Sequence, residues 1–165
     1  MKNLIGKLAG FFGCMTLLAG NPLDAKDLDE YQQLVVDKFN NYLKNDSSCN
    51  WDTYGMHICE ALKLTHGVKD EEMLYQFSLG FAKSGNVGNA RNFALRLKDP
   101  EMFPKRYEIA EMLIKKKNPN NGTWILEKMP KEYQLKGLDL LIETKNPKCA
   151  REFKRYIETG SYNWR

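Results

Sequence analysis

The sequence predicts an all-α fold: stacked antiparallel helical hairpins, a short α-solenoid of about eight helices behind an N-terminal signal segment. Three observations predict it. One pattern of large and small residues recurs three times between residues 77 and 157. Apolar residues elsewhere return at helical spacing. No stretch longer than four residues alternates polar and apolar side chains, so the period of a half-buried strand is missing.

The recurring pattern is specific in its sizes. Its first copy reads Phe77, Phe81, Gly85, Ala90, Phe93, Ala94, Leu97. Going 32 residues on, Phe81, Ala90, Phe93 and Leu97 become Leu113, Gly122, Ile125 and Met129. After 28 more they become Leu141, Ala150, Phe153 and Ile157. Small residues stay small and large apolar residues stay large. Two further echoes accompany it: Pro104-Lys105-Arg106-Tyr107 returns as Pro130-Lys131-Glu132-Tyr133, and Lys117-Asn118-Pro119 returns as Lys145-Asn146-Pro147. A single hairpin cannot bury its apolar face, so self-similarity at this period implies neighbours that stack.

The chain begins with Lys2 and Lys7, then an apolar or small run from Leu8 to Ala19, then the helix-breaking Asn21-Pro22. That run is too short to span a bilayer and has the layout of a secretory signal, with cleavage expected after Ala25. Residues 1–25 are therefore read as a signal peptide, 26–72 as an N-terminal helical segment and 73–165 as the repeat segment. The mature chain is expected in the periplasm or outside the cell.

Asp27-Leu28-Asp29-Glu30 looks like a helix start, with an acidic cap and Glu30 three residues on. Leu28, Tyr31, Leu34, Val35, Phe39, Tyr42 and Leu43 follow at helical spacing, giving a helix over 27–44. Asn45 to Asn50 is loop chemistry. Asp52 or Thr53 can cap a second helix that stops at His66-Gly67. Asp70-Glu71-Glu72 suits the positive end of a third helix, ending near Ser84-Gly85. A fourth is expected over 87–97. Asp99-Pro100 and Phe103-Pro104 interrupt the chain, since proline belongs in a helix's first turn. Helices then follow over 104–116, 122–128, 131–144 and 147–158, the last stopped by Gly160.

The order Phe77, Phe81, Gly85, Ala90, Ala94, Leu97 resembles the tetratricopeptide repeat family, in which a large residue on the first helix packs over small residues on the second. The resemblance implies a concave surface that binds a peptide or protein partner.

Charge is divided along the chain. Residues 26–72 carry 5 basic and 10 acidic side chains, and residues 73–165 carry 18 basic and 10 acidic. The repeat half is basic and the preceding half acidic, which points to an anionic partner for the repeats. Candidate residues for that face are Arg91, Lys105, Arg106, Lys115, Lys116, Lys117, Trp124, Arg151 and Arg155. An acidic protein or peptide is the expected partner, and an anionic membrane surface is the second reading. The modest formal charge of +4 argues against nucleic acid.

An exported chain favours disulfides, and Cys49–Cys59 is the natural pair. Ten helical residues would hold those Cα atoms roughly 15 Å apart, so the bridge requires Cys49 in a loop that folds back. Cys149 is then left over. Cys49, His57, Cys59 and His66 contain both histidines, yet their spacing matches no zinc-binding arm. His57 and Glu60 could share a helix face, but no nucleophile stands in register with them. Gly85-Asn86-Val87-Gly88 reads as a turn, since no strand precedes it and no Lys-Ser/Thr follows. No catalytic, cofactor or metal residue is expected. The resulting reading is an exported helical-repeat module that binds protein or peptide through its basic half. The alternative is a small helical enzyme or inhibitor working through the Cys49–His66 region.

Overall fold

The computed structural model describes residues 28–45 and 60–162. Among them the chain forms α1 (Glu30–Asn45), α2 (Glu60–Leu64), α3 (Glu71–Ser84), α4 (Val87–Ala94), a single 3-10 turn (Pro100–Met102), α5 (Phe103–Lys115), α6 (Pro119–Leu126), α7 (Lys131–Glu143) and α8 (Pro147–Thr159). Consecutive helices pair as α1/α2, α3/α4, α5/α6 and α7/α8. First helices also pack on one another in the order α1, α3, α5, α7, and second helices in the order α4, α6, α8. These two parallel rows make a short solenoid of stacked antiparallel hairpins.

The turn inside each of the last three hairpins has one construction. Gly85, Lys117 and Lys145 all take left-handed backbone, with φ of 92°, 65° and 56°. The next residue is asparagine each time. Its backbone N–H reaches back to the last turn of the first helix: Asn86 to the Phe81 carbonyl at 3.0 Å, Asn118 to Leu113 at 2.9 Å, Asn146 to Leu141 at 2.9 Å. A left-handed residue followed by such a bond satisfies carbonyls that the helix end leaves open. The acceptors are the large residues of the recurring pattern, so turn and core repeat in one register.

Size alternation sets how closely the helices approach. Phe81, Leu113 and Leu141 are fully buried, as are Ile125 and Phe153. Burying one such side chain contributes about 1.5–3 kcal/mol. The second helices also carry the small residues Ala90, Gly122 and Ala150. A Cβ built on Gly122 would come 2.8 Å from the Ala110 carbonyl oxygen and 2.5 Å from Ile114 Cγ1, so only glycine fits that approach. In the preceding hairpin the buried Ser78 hydroxyl uses the same closeness, donating to the Ala90 carbonyl at 2.7 Å. Phe39 of α1 joins the stack by packing its ring 4.7 Å from Phe77 and 5.0 Å from Phe81. Phe81 in turn stacks on Phe93 at 5.6 Å.

Several expected boundaries move for local reasons. α4 ends at Ala94 because Arg96 and Leu97 bond three residues back, to Phe93 and Ala94, and tighten the chain out of the helix. α6 starts at Pro119, where a proline in the first turn costs no hydrogen bond. The echo between Pro104-Lys105-Arg106-Tyr107 and Pro130-Lys131-Glu132-Tyr133 is not a structural equivalence. Pro104 lies within the first turn of α5, whereas Pro130 precedes α7 as its cap residue. Tyr107 and Tyr133 instead face each other across adjacent hairpins, ring centroids 5.7 Å apart. The signal segment and the start expected for the second helix lie outside the described residues. Among the described residues no helix is long and apolar enough to cross a membrane.

Candidate functional site

The second-helix row carries one exposed aromatic side chain. Gly122, Thr123, Ile125 and Leu126 turn α6 into the core, which leaves Trp124 on the outer side, 45% exposed. Arg91 of α4 reaches across to it. Its guanidinium carbon lies 4.5 Å from the indole centroid, a cation–π distance. Nη1 donates to Asn121 Oδ1 at 3.2 Å, and Nη2 donates to Asn92 Oδ1 at 3.0 Å. The guanidinium fork is therefore held by asparagines of two hairpins and braces the Trp124 indole.

Beside the indole lies a pocket of about 70 Å³, lined by Asn120, Thr123, Trp124, Cys149, Glu152, Phe153 and Tyr162. α8 supplies Cys149, Glu152 and Phe153, and the tail after it brings Tyr162 back over the site. Tyr162 donates its hydroxyl to Glu127 Oε1 at 2.7 Å. Its ring stacks on Tyr156 at 5.0 Å, and Tyr156 donates to the Glu127 carbonyl at 3.2 Å. Burial raises the Glu127 carboxyl above its ordinary range, and the Tyr162 hydrogen bond and Lys128 offset part of that rise. Burial, then the bond to Glu127, pushes the Tyr162 phenol up, so it stays a proton donor at neutral pH.

Cys149 is the thiol in this wall. Its Sγ donates to Asn120 Oδ1 at 3.2 Å. Burial raises its pKa, Glu152 adds to the rise, and Lys148 lowers it in part. A thiol held protonated in this way is a poor nucleophile. Ligand pockets for small molecules run to about 300–1,000 Å³. A space of about 70 Å³ suits one small apolar side chain.

The residues expected on one basic face divide among four places. Arg91 and Trp124 meet, as above, and Arg151 and Arg155 stand exposed on α8, the next helix of that row. Lys105 belongs to the first-helix row, paired with Glu72 and lying 5.2 Å over the Tyr75 ring. Arg106 is no surface residue. It is 3% exposed and donates Nη1 to the Leu97 carbonyl at 3.2 Å and Nη2 to the Ile125 carbonyl at 3.3 Å. The Lys115–Lys117 run lies at the α5–α6 turn, and its members do three different things. Lys115 pairs with Glu111 at 2.7 Å, and Lys117 holds the left-handed turn. Lys116 donates Nζ to the Ala82 and Lys83 carbonyls at 3.0 Å each, capping α3 from the neighbouring hairpin.

Cys49, His57 and Cys59 lie outside the described residues, so the expected bridge and most of the Cys49–His66 region do too. His66 is exposed in the turn after α2. Sequence reasoning named Trp124 and Arg91 but not Asn120, Glu127 or Tyr162, whose polar side chains fit no local motif. Comparison with protein-family models, with curated proteins and with solved structures finds no match.

Proposed function

We propose that this chain is an exported helical-repeat module that binds an acidic peptide or protein through its basic repeat half. Trp124 is the anchor of that reading, and the observation that carries it is the Arg91–Trp124 pair standing beside a pocket of about 70 Å³. Interface energy concentrates in rigid aromatic and arginine side chains next to pockets that exclude water. Here an indole braced by a guanidinium is available before any partner arrives, so little side-chain entropy remains to be lost on binding. The pocket takes one small apolar side chain of the partner. Arg151 and Arg155, exposed on α8, attract its acidic residues from a distance.

The test is an array of acidic peptides that also carry small apolar residues, probed with the mature chain at several salt concentrations. Trp124→Ala should weaken the best binders by about tenfold or more, equivalent to about 1.4 kcal/mol. Arg151→Glu with Arg155→Glu should weaken them most at low salt. Equal binding by all variants overturns the reading and returns attention to the region around His66.

A further inference from the structure

Among the described residues five large apolar side chains stand exposed, and four of them sit at the two ends of the stack. Tyr31 and Leu34 lie on α1, the first helix of the first row; Leu135 and Ile142 lie on α7, the last. The positions on α7 have counterparts in the earlier hairpins, at the same steps of 28 and 32 residues. Leu135 corresponds to Tyr107 and Tyr75. Tyr75 donates to Glu108 of the following hairpin at 2.7 Å, and Tyr107 packs on Tyr133 of the following hairpin at 5.7 Å. Ile142 corresponds to Ile114 and Ala82, both buried. Leu135 thus occupies the site where each earlier first helix receives the next hairpin, and Ile142 on the same helix, whose counterparts are buried, is 61% exposed.

We infer that this surface docks α1 of a second copy, so that the molecules associate head to tail and the first-helix row runs on from α7 of one copy into α1 of the next. Continuity of the first-helix row selects this occupant. The α7 surface continues an interface the fold already makes three times, α1 on α3, α3 on α5 and α5 on α7, and α1 is itself a first-row helix with Leu34 65% exposed. A symmetric tail-to-tail dimer would instead set α7 against α7, which does not continue the order α1, α3, α5, α7. A head-to-tail contact that does not close on itself forms an open array. This inference concerns the ends of the stack and is independent of the site at Trp124.

Sedimentation velocity on the full chain over a wide concentration series tests it. The wild type should sediment faster as concentration rises. A head variant, Leu34→Asp, and a tail variant, Leu135→Asp with Ile142→Asp, should each stay monomeric, with association weakened at least tenfold. Mixed in equal amounts, the two variants should form a dimer and nothing larger, because each retains the half the other lacks. All three substituted sites are exposed, and an unchanged thermal melt checks the fold; a variant that melts early is replaced by its lysine counterpart. A wild type that stays monomeric throughout overturns the inference. So does a head variant that associates like wild type, which would mean tail-to-tail pairing, and so does a mixture that remains monomeric.

Discussion

Arg106 and Gln134 do the same work one hairpin apart. Arg106 donates from its buried guanidinium to the Leu97 carbonyl, and Gln134 donates Nε2 to the Met129 carbonyl at 3.1 Å. The two donors are equivalent by a step of 28 and the two acceptors by a step of 32. Each ties a first helix to the end of the hairpin before it. Arg106 also serves the Ile125 carbonyl, while its Nε has no acceptor.

Arg106→Ala should therefore cost about 2–4 kcal/mol, since two buried carbonyls lose their donor and a cavity opens. Arg106→Gln should recover much of that loss, because glutamine already meets this need at position 134. Urea denaturation of both variants measures the difference. Equal losses would show that the long stem, not the hydrogen bond, sets the cost.

Lys117 and Lys145 hold left-handed backbone without being glycine, where the first hairpin has Gly85. An L side chain pays about 1–2 kcal/mol in that conformation, partly offset by the greater freedom glycine has when unfolded. Lys117→Gly and Lys145→Gly should each stabilise the chain by about 0.5–1 kcal/mol. Thermal melts that fall instead of rising would assign the lysine side chains a role in the turn.

Gly122 faces the Ala110 carbonyl and Ile114 too closely to admit a methyl group. Gly122→Ala should destabilise by about 1–3 kcal/mol even though alanine is the better helix former. Ala90→Leu in the hairpin before it should cost a similar amount. Wild-type melting of either variant would refute the close approach.

Lys116 and Lys115 are adjacent yet should respond differently to reversal. Lys116→Glu replaces a donor with a carboxylate at the C-terminal end of α3 and should cost about 1 kcal/mol. Lys115→Glu loses one exposed pair with Glu111 and should stay within about 0.5 kcal/mol. Denaturation at low and high salt separates them, since the carbonyl cap is less screened than the exposed pair.

Glu127 supplies a pH dependence of defined sign. Its carboxyl titrates higher folded than unfolded, mainly through burial, so the folded state binds more protons through that window. Its contribution is present below the unfolded pKa and is lost as pH rises through the folded one. Glu127→Gln keeps an acceptor for Tyr162 and removes the charge. The variant should match or exceed wild type at neutral pH and gain less on mild acidification. A larger gain for the variant would contradict the burial of this carboxyl.

Much of the fold is legible in the sequence because two constraints repeat together. Large residues at 81, 113 and 141 close the turns, and small ones at 90, 122 and 150 let the helices approach. The uneven steps have a simple origin as well: the linker over 95–102 contains the extra turn Pro100–Met102, and the linker over 127–130 does not. The candidate face was less legible. Arginine and lysine read as surface residues, yet Arg106 is buried by carbonyls that only tertiary packing brings to it, and Lys116 is committed to a helix 33 residues upstream. Glu127 and Tyr162 meet across 35 positions, a distance no local pattern reports.

The two-row arrangement also orders how the molecule opens. An end hairpin has one stacked neighbour, whereas α3/α4 and α5/α6 each have two. Opening α7 and α8 breaks a single interface, and the aromatic cluster of Phe39, Phe77, Phe81 and Phe93 can stay intact while it does. Amide hydrogen exchange should slow from the ends of the stack inward, with α8 exchanging through local fraying and α3 only through global unfolding.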